Sequence, residues 1–125
     1  MRDHGVSIDA GHGVDTRNDL DGLAALLTAC DLVLTVNNAT AHLAAALGRP
    51  TWIMLPRYIL PFWNSFQDAP EGPGQRSPWY PSVRLFRRGQ NEPYPNDQIE
   101  RLRTALRQWT SRSWELDSPG KSDLA

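Results

Sequence analysis

The sequence has little cysteine, no long apolar run and almost no net charge. Its single cysteine, Cys30, excludes an internal disulfide. No apolar run approaches the ~20 residues that a membrane-spanning helix needs, and the first ten residues lack the apolar core of a signal peptide. A formal net charge of −1 argues against nucleic-acid binding. We therefore expect a cytoplasmic globular protein without nucleic-acid partners or a membrane span.

Patterns for metal binding and nucleophilic catalysis are also scarce. His4 and His12 lie in a glycine-rich opening with Asp9 and Asp15 nearby. Their spacing matches no common ligand set, so we predict no metal site. Cys30 ends the apolar stripe of a predicted helix, which is typical of a small core residue. No combination of residues identifies a catalytic group or a cofactor.

The most informative segment, residues 31–55, predicts a strand, a helix and a second strand. Residues 32–36 are apolar and rich in β-branched side chains, as in a parallel strand covered on both faces. Residues 43–47 favour a helix, which a following glycine and proline end. Residues 51–55 are a second apolar run. Such βαβ units are right-handed, and ligands of open parallel sheets bind beyond the carboxyl ends of the strands.

The turn between the first strand and the helix carries the candidate site. Because the first N–H groups of a helix lack intrahelical partners and lie at the positive end of its dipole, this helix start favours a phosphate. Asn38 or Thr40 can cap the helix, and small alanines leave room for a ligand to approach the backbone. An ordinary cap and a structural histidine would explain the same residues, so both interpretations stay open. The candidate binding residues are Asn37, Asn38, Ala39, Thr40, Ala41 and His42.

A longer pattern, from Thr35 to Trp52, includes Val-Asn-Asn before the turn, His-Leu-Ala at the helix start and Leu-Gly-Arg-Pro at its end. It resembles the donor-site segment of bacterial glycosyltransferases of the heptosyltransferase type. It is closer still to the transferase domains that follow tetratricopeptide repeats. Residues 19–33 and 77–87 agree with that repeat-linked family in order and spacing. The resemblance implies the carboxyl-terminal domain of a GT-B fold, an α/β, partial Rossmann-like parallel sheet with flanking helices.

The resemblance also implies a function. It implies that a nucleotide-diphosphate sugar binds through the helix amino terminus at residues 37–42. Where the family has Asp-Thr, this chain has Asn37-Asn38, which removes a carboxylate that could accept hydrogen bonds from donor hydroxyls. We expect residues 1–110 to form the partial donor-binding domain and residues 111–125 a polar, disordered tail.

The length of 125 residues predicts that the chain cannot hold both domains of a GT-B enzyme. The acceptor domain and the first strand of the donor domain have no counterpart in the sequence. One hypothesis is that the chain binds donor and acts with a separately encoded amino-terminal half. Another is that it is a catalytically inactive, truncated remnant with a structural or oligomerisation role. Transfer by this chain alone lacks an identifiable base or acceptor site.

The resembled sheet leaves one edge of the strand at residues 32–36 without a neighbour. Exposed strand edges are normally covered or paired. We expect that residues 6–9 cover this edge or that a second copy pairs there in an isologous homodimer.

The segment at residues 56–81 predicts an irregular, proline-interrupted loop that is rich in aromatic side chains. Trp79 and Tyr80 either wall the donor pocket or pack beneath the loop, and both interpretations stay open.

Two further elements follow this loop. Arg84, Arg87 and Arg88 lie beside apolar residues, as on a solvated edge strand. The last predicted helix begins at Asn96 or Asp97. Its apolar stripe, which should pack on the sheet, comprises Ile99, Leu102, Leu106 and Trp109.

Overall fold

Three parallel strands and three helices form the part of the chain that the computed structural model describes. That part comprises residues 5–9, 13–56, 63, 77, 79–89 and 95–117, with side chains described up to residue 112. The elements are α1 (Leu20–Ala29), β1 (Val33–Val36), α2 (Ala39–Ala46), β2 (Thr51–Leu55), β3 (Val83–Arg87) and α3 (Asn96–Asp117). The strand order is β1-β2-β3. The predicted α/β class, with a parallel sheet and flanking helices, is confirmed.

Helix α1 begins with a side-chain cap, Asp19. The Asp19 carboxylate accepts the backbone N–H of Gly22 at 2.8 Å. A Cβ on Gly22 would lie 2.3 Å from a carboxylate oxygen of Asp19. The absence of a side chain on Gly22 therefore allows the Asp19 carboxylate to approach its backbone N–H. At the other end Cys30 is half-buried and packs beside Leu27 and Val33, in agreement with its predicted role as a small core residue.

The βαβ unit forms as the sequence predicts. β1 and β2 pair in parallel, from Val33 opposite Thr51 to Val36 opposite Met54. Gly48, just beyond α2, has a φ of +72°, a conformation that glycine adopts without steric cost. The core between α2 and the sheet is fully buried, which fixes the end of β1 against the start of α2. Its members are Ala41, Ala45, Ile53, Leu55, Trp63, Val83 and Leu85.

One face of β1 is exposed, although the sequence predicts that both faces are covered. Leu34 and Val36 are 46% and 55% exposed. Their side chains share the sheet face of Trp52, where α3 packs over β2 and β3 and does not extend across β1. The covered-strand pattern is therefore correct for β2 and wrong for one face of β1.

β3 is the outer strand of the described sheet and pairs in parallel with β2. Leu85 and Phe86 are buried, whereas the arginines of this segment are partly exposed. The predicted edge strand with basic side chains is confirmed.

Helix α3 packs on the sheet with a face rotated from the predicted stripe. Leu102, Ala105 and Trp109 contact the sheet, whereas Ile99 and Leu106 are 40% and 39% exposed. A buried amide sets this rotation. Its residue, Gln98, is 4% exposed, and Nε2 donates to the carbonyls of Leu55 at 2.9 Å and Phe86 at 2.6 Å.

The backbone of α3 continues to Asp117, so the helix includes the first seven residues of the segment predicted as a tail. The Thr110 and Ser111 hydroxyls donate to carbonyls of the preceding turn. Residues 96–118 contain no proline or glycine that would stop the helix. Residues 118–125 lie outside the described residues. The division of the chain into a domain at residues 1–110 and a disordered tail at residues 111–125 stays a prediction.

The outer edge of β1 has no neighbouring strand among the described residues. Val6 and Ile8 are 65% and 69% exposed, and residues 5–9 form no strand. The expectation that residues 6–9 cover β1 is therefore wrong for this structure. No helix in the described part of the chain is long and apolar enough to cross a membrane.

Candidate functional site

The candidate site begins where β1 ends and α2 starts. Asn38 is the residue before the helix, and its extended backbone turns the chain from strand to helix. Its side-chain oxygen accepts the N–H of Ala41 at 2.9 Å and lies 3.3 Å from the Thr35 hydroxyl. Of the two predicted caps, Asn38 is the one used. Thr40 is instead the second residue of α2.

The cap leaves two backbone donors at the helix start. Helical geometry gives Ala39, Thr40 and Ala41 no intrahelical acceptor, and Asn38 takes the N–H of Ala41. Ala41 is also fully buried in the core, so its small side chain serves helix–sheet packing. The donors that suit an anion are therefore the N–H groups of Ala39 and Thr40.

His42 lies in an aromatic cluster beside this helix start. Its ring stacks on Trp63 with centroids 4.7 Å apart and an interplanar angle of 27°. Tyr80 meets His42 edge-on at 6.1 Å and lies 6.0 Å from Trp63. Trp79 is 63% exposed, so the interpretation that it packs beneath the loop is wrong for this residue. The structure brings Tyr80, but not Trp79, to the cluster.

Trp63 is held from both sides. Its indole N–H donates to the side-chain oxygen of Asn37 at 2.7 Å, and its backbone carbonyl accepts from the Arg87 guanidinium. Trp63 is only 3% exposed. Burial lowers the pKa of Arg87 below its ordinary value. Sequence reasoning missed Trp63 as a site residue, because nothing in its local pattern links it to a partner 26 positions away.

A cavity of about 400 Å³ opens at the carboxyl ends of β1 and β2. Asn37 and Arg88 line it together with apolar residues from the strand ends. Gln98 also lines it, but its amide already donates to two backbone carbonyls. None of the described residues that line this cavity is a carboxylate. The arrangement can bind an anion and donate hydrogen bonds, whereas a general base is not among these residues.

Comparisons with known proteins point to the same segment. Residues 11–54 match the family described as glycosyltransferase family 9 (heptosyltransferase). The match includes α1, β1, α2 and the turn at residues 37–42. It ends one residue before the end of β2.

The chain is also similar to Protein FlbA of Caulobacter vibrioides. The two are 39% identical over 82 residues, which is 66% of this chain and 12% of FlbA. The matched segment thus spans about an eighth of that relative's length. No solved structure matches the chain significantly. Residues 11–54 are therefore similar to part of glycosyltransferase family 9, and the parallel sheet of the fold is consistent with that similarity.

Proposed function

We propose that the start of α2 binds the diphosphate of a nucleotide sugar and that the chain supplies the donor side of a glycosyl transfer. The observation that carries the proposal is the position of this helix start. It lies at the carboxyl end of a parallel strand, shortly after Asn37, which lines an open cavity, and within the residues that match the glycosyltransferase family. Ligands of open parallel sheets bind at this position, and helix starts favour phosphates.

Three kinds of donor would contact the diphosphate. The N–H groups of Ala39 and Thr40 would bind one phosphate, with the helix dipole adding to the attraction. His42 would present its imidazole from the first turn of the same helix, with Trp63 fixing the plane of the ring. Arg88 lines the neighbouring cavity and would reduce the repulsion between phosphate charges.

Asn37 would act differently from the family's aspartate. Its oxygen already accepts the Trp63 indole N–H, so the amide nitrogen is the part that can reach a ligand. An amide nitrogen donates to phosphate or sugar oxygens, whereas a carboxylate accepts from sugar hydroxyls. The site should therefore favour the diphosphate over the hydroxyls of the sugar.

Transfer requires an acceptor site and a base that the described residues of this cavity do not provide. We propose that a separate polypeptide, or further sequence joined to this domain, supplies them. On this proposal the chain alone binds donor weakly and transfers no sugar.

The diphosphate proposal can be tested with His42→Phe, which keeps a ring to stack on Trp63 and removes both imidazole nitrogens. Phosphorus NMR of uridine, adenosine and guanosine diphosphate would report binding through line broadening. We expect the unmodified chain to broaden at least one diphosphate and the variant to bind it about tenfold more weakly, the loss expected for one hydrogen bond to a charged group. Ala29→Ser, on exposed α1 surface, is the control and should bind normally. Equal broadening by all three proteins would contradict the role of His42.

A second candidate function is oligomerisation through β1. It rests on the unpaired outer edge of β1 in the described structure and on the exposure of Leu34 and Val36. Two copies could pair these edges in an isologous dimer. Light scattering should then show a dimer at high micromolar concentration that Leu34→Lys weakens. Leu20→Lys, at another exposed leucine, should leave it intact. A monomeric unmodified chain would exclude this candidate.

A further inference from the structure

A second, larger groove lies beside α3 and shares Arg88 with the cavity at the strand ends. It has a volume of about 670 Å³ and runs between β3 and the adjoining face of α3. Most of its charged residues are positive, although the chain as a whole has a formal net charge of −1. The charged lining residues are Arg84, Arg87, Arg88, Arg101 and Glu100.

The charges of this groove are arranged to favour an anionic partner. Its carboxylate, on Glu100, pairs with Arg103 at 3.3 Å and is thereby compensated. The Arg84 guanidinium lies over the rings of Trp52 and Phe86, at 5.5 and 4.9 Å from their centroids. A guanidinium over aromatic faces can still direct the N–H groups of its own plane toward carboxylate oxygens.

Arg101 reaches the groove from α3. It donates to the backbone carbonyl of Arg87 at 2.5 Å, which holds its guanidinium at the edge of β3. Arg84 and Arg101 therefore place donors on the strand side and on the helix side of the same groove.

The backbone of β3 adds a second kind of recognition. The Arg88 N–H donates to Leu55, and the Ser82 carbonyl accepts from Thr51, so these even-numbered positions face β2. Because neighbouring residues of a strand direct their backbone groups to opposite sides, Leu85 directs its N–H and carbonyl outward. No strand lies on that side in the described residues. An outward donor and acceptor on one residue are what an added strand pairs with.

We propose that this groove binds an extended acidic peptide segment of a partner protein. The segment adds to β3 as a strand, pairs with Leu85 through its backbone and places carboxylates on Arg84 and Arg101. A second copy of this chain is a poor occupant of the same edge, because pairing two β3 strands would bring arginines opposite arginines. The groove therefore selects a partner of opposite charge.

Fluorescence polarisation would test the proposal with a labelled eight-residue peptide of alternating glutamate and valine. Two peptides serve as controls. One carries lysine in place of glutamate, and the other keeps the charge but has an N-methylated backbone that cannot pair with a strand. We expect each control to bind at least about tenfold more weakly than the acidic peptide. In amide NMR spectra the acidic peptide should shift the Leu85 signal.

Two charge-matched variants locate the binding. Arg101→Glu reverses a charge inside the groove, whereas Arg107→Glu reverses an exposed charge on α3 that does not line it. The first should weaken acidic-peptide binding about tenfold, and the second should change it less than twofold. If Arg101→Glu fails to fold, the N-methylated peptide on the unmodified chain decides the question.

Several results would overturn the proposal. Equal binding of the acidic and N-methylated peptides would show that strand addition plays no part. Equal losses in the two variants would show that the interaction is with the overall charge of the chain. Tighter binding of oligothymidylate than of the acidic peptide would identify a nucleic-acid surface instead.

Discussion

The hydrogen bond between Asn37 and Trp63 should be a measurable source of stability. Asn37→Ala removes the acceptor, and Trp63→Phe removes the indole donor but keeps a ring to stack on His42. The bond is 2.7 Å long, and its donor belongs to a side chain that is 3% exposed. The two single variants and the double variant form a thermodynamic cycle that isolates their interaction.

The expected magnitudes follow from this geometry. In Asn37→Ala the buried indole N–H loses its partner, which costs about 1–3 kcal/mol of unfolding free energy. Trp63→Phe loses the same bond and part of a buried ring. The exposed oxygen of Asn37 regains water, which lowers the cost of the lost bond, and the lost ring area raises it, so the total should be similar. The double variant should be less destabilised than the sum of the singles by about 1 kcal/mol.

Urea denaturation followed by far-ultraviolet circular dichroism would measure all four free energies. Trp109→Phe provides the control, since Trp109 packs edge-on against Trp52 at 5.9 Å and lies on the opposite face of the sheet. Combined with Asn37→Ala it should be additive. If the cycle with Trp63 is also additive to within about 0.3 kcal/mol, the bond does not hold the aromatic cluster in place.

Three further predictions concern other parts of the chain. Gln98→Leu should lower the unfolding free energy by about 1–3 kcal/mol in urea denaturation, because two backbone carbonyls lose their amide donor; no loss would show that the amide does not fix α3. Hydrogen bonds from the Asn18 side chain and nearby backbone N–H groups hold the pKa of Asp15 below its ordinary value. The ionised carboxylate therefore stabilises the folded chain fully above the pKa that Asp15 has in the unfolded chain. This stabilisation is lost as pH falls through the pKa that Asp15 has in the folded chain. The difference in melting temperature between the unmodified chain and Asp15→Asn should therefore shrink below about pH 3.8, and a constant difference would contradict this. Asn37→Asp combined with Asn38→Thr restores the resembled family's pair and should leave the fold intact. In calorimetric titrations it should raise the affinity for a nucleotide sugar relative to the affinity for its nucleoside diphosphate. An unchanged ratio of these two affinities would refute the role assigned to these positions.

Local sequence predicted the βαβ unit and the start of α2 well. The apolar runs, the glycine after α2 and the Asn38 cap act within a few residues, so their patterns survive in the fold. The same holds for the Asp19 cap of α1. Patterns whose physical cause is local can be predicted from one sequence.

Features that depend on distant partners were harder to predict. The burial of Trp63 depends on Asn37 and Arg87, neither of which is near it in sequence. Gln98 lies on the buried face of α3 because its amide donates to two strand carbonyls, and no helical periodicity reveals those contacts. Trp79 is exposed although aromatic side chains usually bury their area.

Mapping nucleoside diphosphate binding onto backbone amides would test the central proposal most directly. Titration of the isotope-labelled chain with uridine, adenosine and guanosine diphosphate should shift the amides of Ala39, Thr40 and His42 at millimolar ligand. The Leu85 amide, in the other groove, should not move. Shifts absent from the start of α2, or confined to residues remote from it, would contradict a donor site at this helix.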